Sequence, residues 1–259
     1  MESNPAYAAT NPCTWGWLGT LLWSAIIAAV FIVTQITAAT AYIVISENIT
    51  DISKLDLQRF AEDGDVLTVS TWSSFFICGL LVVLAVVTKP GAKLRHYLAL
   101  NAISWRMLFF AVILTLLMTL AIDLVSGLFN RPMPNTVIET YRSADHLLLF
   151  WLAVVVAAPV FEELFFRGFL HASIANTRLG VAGAIVIPAA VWAIIHLQYE
   201  SFEMAIIFSM GMLLGLARWI TKSLYAPILI HALNNFISNL QVASLIQSNT
   251  NTAVSFLGG

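Results

Sequence analysis

The sequence predicts an all-α, polytopic transmembrane helical bundle of about seven spans, and three observations carry that prediction. The 259 residues are 59% hydrophobic and only 10% charged, with a mean hydropathy of +0.86, whereas about a quarter of the residues in soluble domains are charged. Apolar runs of the roughly 20 residues needed to cross a bilayer recur along the chain. Short connections rich in charge, proline and glycine separate them. The net charge of −2 argues for neither a nucleic-acid partner nor an acidic tail. Cys13 and Cys78, one near the N-terminus and one inside an apolar run, make no disulfide or metal framework.

Residues 1–16 read as a short polar N-terminal tail without the basic start of a signal peptide. The first span covers Trp17 to Ile45, in a region with no charge between Glu2 and Glu47. Ser46 to Asp65 is acidic, and the spacing of Ile49, Ile52 and Leu55 predicts a short surface helix. Val66 to Thr88 forms the second span, Lys89 to Arg95 a basic loop with a Pro-Gly break, and Met107 to Phe129 the third span with Asp123 in its far third. Asn130 to Asn135, with two prolines, ends it. Asp145 is the expected cap of the next helix, His146 to about Ala175, which is longer than a membrane requires and should protrude at one end. Beyond Asn176 to Gly180 come Val181 to about Gln198, Met204 to Trp219 and Leu224 to Ile246. Residues 17–246 thus form one transmembrane domain, and 247–259 a C-terminal tail.

Basic residues favour cytoplasmic connections. With the N-terminus inside, the inner side holds Lys89, Lys93, Arg95, Arg106, Arg167, Arg178, Arg218 and Lys222, and the outer side Lys54, Arg59, Arg131 and Arg142. Eight against four places the N-terminus in the cytoplasm.

The fourth span carries Glu162, Glu163 and Arg167 in an otherwise apolar run. A carboxylate at mid-membrane costs about 2.5–3.5 kcal/mol on insertion scales, so such a pair marks a functional site unless it sits at a helix end. Helical neighbours point about 100° apart, which gives the two acids different surroundings. Arg167 follows Glu163 by four residues, the favourable ion-pair spacing. Glu162 is left on its own face as a proton acceptor or donor.

Two further motifs come into register with it. His196 ends the fifth span as Trp192-Ala193-Ile194-Ile195-His196, and His231-Ala232-Leu233-Asn234-Asn235 lies in the seventh. Glu162 lies 17 residues before position 179 and His196 17 after it, so an antiparallel hairpin puts both about 25 Å from its turn. His231 and Asn235 share a helix face, extended by Asn239, while Asn234 points elsewhere. A lone histidine in a span is more often a hydrogen-bonded packing residue than a catalyst. Four polar groups over three spans are more simply explained by one pocket. That pocket is expected to open toward the cytoplasm. His231, only about 10 Å into its helix, meets the others if the segment around 168–180 projects beyond its neighbours.

In order and spacing, Glu162-Glu163-x-x-x-Arg167-Gly168, aromatic-x-x-x-His196 and His231-x-x-x-Asn235 resemble the CPBP intramembrane proteases, the CAAX-protease and bacteriocin-processing (Abi) family whose eukaryotic relatives are type II CAAX prenyl endopeptidases. The resemblance covers about residues 145–240. It implies that Glu162 and His196 activate a water, that His231 and Asn235 stabilise the oxyanion, and that Glu163 and Arg167 shape the site. It also implies a glutamic-type endopeptidase without a metal, with the bilayer and a protein or peptide substrate, prenylated or not, as partners. The family's second motif usually has Phe where this chain has Trp192, which keeps an aromatic packing role.

The chemistry fits independently. Peptide hydrolysis needs a base, an acid and oxyanion donors, and Glu162, His196, His231 and Asn235 supply that set. There is no Gly-x-Ser-x-Gly elbow. Two histidines and a glutamate are also the ligand set of some zinc hydrolases, so zinc stays open as an alternative, although no His-Glu-x-x-His pair is present. Readings from other classes are a non-catalytic membrane scaffold or immunity protein and a proton-coupled transporter, which would usually show internal repeats that this chain lacks. The expected location is the plasma membrane of a prokaryote.

Overall fold

The structure, a computed structural model, describes residues 13–46 and 62–257, with side chains as far as 248. In chain order the helices are α1 (Trp17–Ser46), α2 (Gly64–Val87), the short α3 (Leu94–Tyr97), α4 (Trp105–Leu128), α5 (Asn135–Arg142), α6 (Leu147–Ala175), α7 (Gly180–Ile194), α8 (Ser201–Thr221) and α9 (Tyr225–Leu257). Each expected span therefore has its helix. Five of them, α1, α2, α4, α6 and α8, are long and apolar enough to cross a membrane. The sixth, α7, is apolar but has only 15 residues. Large apolar side chains such as Leu21, Phe76, Phe109 and Leu148 face outward, as lipid contact requires. The chain is an integral membrane protein built as an all-α polytopic bundle.

Local chemistry explains most of the boundaries. Asp63 opens α2 by accepting the N–H groups of Asp65 and Val66 at 3.0 Å each, and Ser104 caps α4 through Met107. Lys222 ends α8 in the left-handed region at φ +52°. The fourth long helix departs from expectation. Its cap is His146, not Asp145, and no side chain of its own segment serves it. The acceptor is Asp65 in the first turn of α2, which takes the N–H groups of Asp145 at 3.2 Å and His146 at 3.4 Å. A buried carboxylate needs donors, and these come from 80 residues away, beyond any local pattern. At the other end of the chain, α9 continues to Leu257 where a tail was expected after 246. The surface helix expected around Ile49 to Leu55 lies outside the described residues. Of the N-terminal stretch, Trp15 is anchored by its indole N–H on the Ala85 carbonyl at 2.6 Å.

Two stretches of α6, Ala153–Ala157 and Leu164–Leu170, are wound as π-helix. Pro159 accounts for a consequence of the first. Ala158 N–H reaches back five residues to Ala153, and in that register the next bond would run from residue 159 to Val154. Proline has no N–H to give. The Val154 carbonyl is instead taken by the Asn235 amide of α9 at 2.9 Å. Widened turns of this kind are frequent at functional sites.

Packing of α7 on α8 uses small residues. A Cβ on Gly211 would lie 3.0 Å from the Ala189 Cα and 3.2 Å from Arg167 Nη2, and one on Gly215 would press on Ile185. The helices α6, α2, α7 and α8 then enclose an aromatic core of Phe161, Phe165, Phe166, Phe169 and Trp192 with Val82 and Leu214. Glu163 meets His231, yet Glu163 is about 18 Å from the end of α6 and His231 about 9 Å from the start of α9. The α6–α7 turn therefore projects about 9 Å beyond the start of α9, which removes the depth mismatch. Arg167 and Arg218 are buried in the bundle, so neither counts as a loop charge in the orientation tally.

Candidate active site

The two glutamates of α6 have different environments, as their spacing predicts. Glu163 is fully buried, and its Oε1 accepts from Arg167 Nη1 at 2.8 Å, one turn on, and meets His231 Nδ1 at 3.0 Å. Arg167, also fully buried, gives Nη2 to the Gly211 carbonyl at 3.0 Å and lies over the Trp192 ring, 4.9 Å from its centroid. Four helices are thereby tied through one ion pair. With Nδ1 engaged by Glu163, His231 keeps Nε2 for other work.

Glu162 points to the other side and is only partly buried. Its Oε2 accepts the indole N–H of Trp192 at 2.6 Å, which leaves Oε1 for the cavity. His196 lies just past the end of α7, and its Nδ1 is 2.6 Å from the carbonyl oxygen of Trp192. A carbonyl only accepts, so Nδ1 carries the proton and Nε2 of the neutral ring is the basic nitrogen. The Trp192 ring meets both histidines edge-on, at 5.3 Å from His196 and 5.2 Å from His231. Asn235 has two amide hydrogens and gives one to Val154, so the second remains.

Glu162, His196, His231 and Asn235 all line one cavity of about 860 Å³, together with Trp192. Glu163 and Arg167 are packed behind it. Asn234, expected to point away, lines it as well. Sequence reasoning also missed Gln35 and Ser74 from α1 and α2, Asp123 from α4, and Tyr199 and Glu203 at the α7–α8 connection. Gln35 and Glu203 were legible as isolated polar residues in apolar runs; Ser74 was not. Tyr199 stacks on His196 at 6.2 Å, and burial, then the charges of Glu203 and Glu162, push its phenol above the ordinary value. It stays an O–H donor. Among the described residues no group of three or more His, Cys, Asp or Glu is arranged to hold a metal ion.

The cavity runs to the end of the bundle made by the 129–135 and 195–201 connections, where Arg131 pairs with Glu200 at 2.8 Å. That end is opposite the basic loops at 89–95, 176–180 and 222. An N-terminus inside and a cavity opening toward the cytoplasm therefore do not hold together. The reason is parity: α1, α4 and α7 all finish at the same end.

Residues 144–237 match the family described as type II CAAX prenyl endopeptidase Rce1-like. No curated protein and no solved structure matches the chain. The matched segment begins at the start of α6 and ends two residues after Asn235, so it holds every motif that meets at Trp192. Over that segment the match supports membership of the CPBP family of CAAX proteases.

Proposed function

We propose that the protein is an intramembrane endopeptidase that hydrolyses a peptide bond of a membrane-associated or lipidated protein by water held between Glu162 and His196. The observation that supports it best is that one residue, Trp192, bonds both: its indole holds Glu162 and its carbonyl holds His196. In this scheme water donates to Glu162 Oε1 and to His196 Nε2. As its oxygen attacks the scissile carbonyl, one of these groups takes the proton and later returns it to the leaving amine. The second N–H of Asn235, and Nε2–H of His231 when that ring carries both protons, donate to the oxyanion. Glu163 and Arg167 hold His231 in place. The family description makes a prenylated protein the first substrate to test.

The test is a cleavage assay in lipid with wild type against Glu162→Gln. Loss of activity by about 10²- to 10⁴-fold is the result expected of a general acid–base group; undiminished activity favours a scaffold. Activity should also persist in strong chelators, because the reaction as proposed uses side chains alone. Loss on chelation with recovery on added zinc would recast Glu162, His196 and His231 as ligands. For the location we propose a prokaryotic plasma membrane with the N-terminus cytoplasmic, from Lys89, Lys93, Arg95, Arg106, Arg178 and Lys222. The cavity is then entered from the outer face. Labelling of single cysteines at Lys93 and Arg131 by an impermeant reagent reads the sidedness: Arg131→Cys reacts from outside and Lys93→Cys does not.

A further inference from the structure

The contacts of Trp192 go beyond packing. A phenylalanine there would fill much of the same core space and leave the same backbone carbonyl for His196, but would have no N–H for Glu162. The bond at 2.6 Å is made by a side chain only 3% exposed. Its ring cannot drift, because Arg167 covers one side and the rings of His196 and His231 meet it edge-on. We infer that Trp192 is a positioning residue. Its indole N–H fixes Glu162 Oε2 so that Oε1 stays directed at the water shared with His196, and its carbonyl selects the tautomer that leaves His196 Nε2 basic. This inference rests on the proposed water activation and assigns the device that aligns its two members.

The geometry has a chemical reason. A glutamate has three side-chain torsions, and a carboxylate with one oxygen held presents the other in a single direction. Displacing a reacting group by about 1 Å costs on the order of 10²-fold in rate. Ground-state affinity for the substrate does not depend on that alignment, so the loss belongs in kcat.

The experiment compares wild type, Trp192→Phe, and a variant with 3-benzothienylalanine at 192, an indole isostere that has sulfur in place of N–H. The protein is kept in lipid, and the substrate is a farnesylated peptide ending in Cys-aliphatic-aliphatic-X. Both variants should lose roughly ten- to a hundredfold in kcat with KM within about twofold, and should melt close to wild type in the isostere's case. In a Glu162→Gln background the isostere should add little further loss, because the aligned group is already gone. Wild-type kcat in the isostere variant, or a loss carried by KM, overturns the inference. A second readout is independent of cleavage: the Trp192 indole N–H resonance, identified as the one missing in Trp192→Phe, should move upfield in Glu162→Ala. If wild type cleaves nothing and the resonance moves, the proposed function fails while the alignment stands. If the resonance stays, the alignment fails whatever the activity.

Discussion

In α1, α2 and α4 the buried hydroxyls of Thr20, Thr68 and Thr115 each bond a carbonyl four residues back, at 3.0, 2.7 and 2.8 Å. In α6 to α9 the side chains of Trp192, Arg167, His231 and Asn235 bond across helices, to Glu162, Gly211, Glu163 and Val154. A hydroxyl satisfied within its own helix constrains nothing outside it. A bond between helices fixes their rotation and depth together. The first group of helices is free to act as a lipid-facing wall; the second has a register to defend. The exceptions in the first group are Trp72, whose indole N–H reaches the Leu149 carbonyl of α6 at 3.4 Å, Asp123, which accepts from Gln241 of α9 at 3.0 Å, and above all Asp65, which reaches Tyr42 at 3.2 Å as well as the start of α6. It sits where the wall is fastened to the site-bearing helix.

The largest test of this contrast is Glu163→Ala. It leaves Arg167 buried without its carboxylate and His231 without its anchor, and breaking a buried pair in this way costs about 3–5 kcal/mol. Unfolding in mild detergent should show that loss, while Glu162→Gln, at a partly buried residue, should unfold like wild type. A Glu163→Ala protein as stable as the parent would mean that the cross-helix network does not set the register.

Gly211→Val comes next. Its side chain would enter the space between Ala189 and Arg167, and overpacking of this kind costs about 1–3 kcal/mol. Because the Gly211 carbonyl also holds Arg167, activity should fall with stability. The same substitution at Gly79, where a Cβ meets nothing within 4 Å, should be nearly silent. Equal unfolding midpoints for the two variants would contradict the close α7–α8 approach.

The sequence made the seven helices, the Glu163–Arg167 pair and the meeting of Glu162 with the Trp192-to-His196 segment legible, because each rests on periodicity or on a count along the helix axis. The Asp65 cap, the Asn235 bond to Val154 and the Ser74 wall were not legible. They join residues whose separation in sequence carries no period. The opening of the cavity was misread because His231 lies early in its helix, which drew the site toward the cytoplasmic end; the projecting α6–α7 turn sets the site back from that end, and the cavity runs to the other one. Asn234 was misplaced by treating a face as narrow. A cavity of about 860 Å³ reaches more than one face of the helix beside it.

The smallest expected effect is at Thr115, and it bears directly on the contrast. Its hydroxyl is nearly fully buried and bonds Ala111 of its own helix, so Thr115→Val keeps the shape and removes one hydrogen bond whose acceptor remains inside the α4 ladder. Hydrogen bonds in membrane proteins average about 0.6 kcal/mol by double-mutant cycles, and the loss here should not exceed that. Asn235→Leu removes one bond of similar length, but it strands the Val154 carbonyl that Pro159 cannot serve. Its cost should be larger, up to about 1.7 kcal/mol. Unfolding of both variants in the same detergent gives the difference directly. If Thr115→Val costs as much as Asn235→Leu, then hydroxyls bonded within one helix matter to the bundle as much as bonds between helices do, and the division into wall and site-bearing core is wrong.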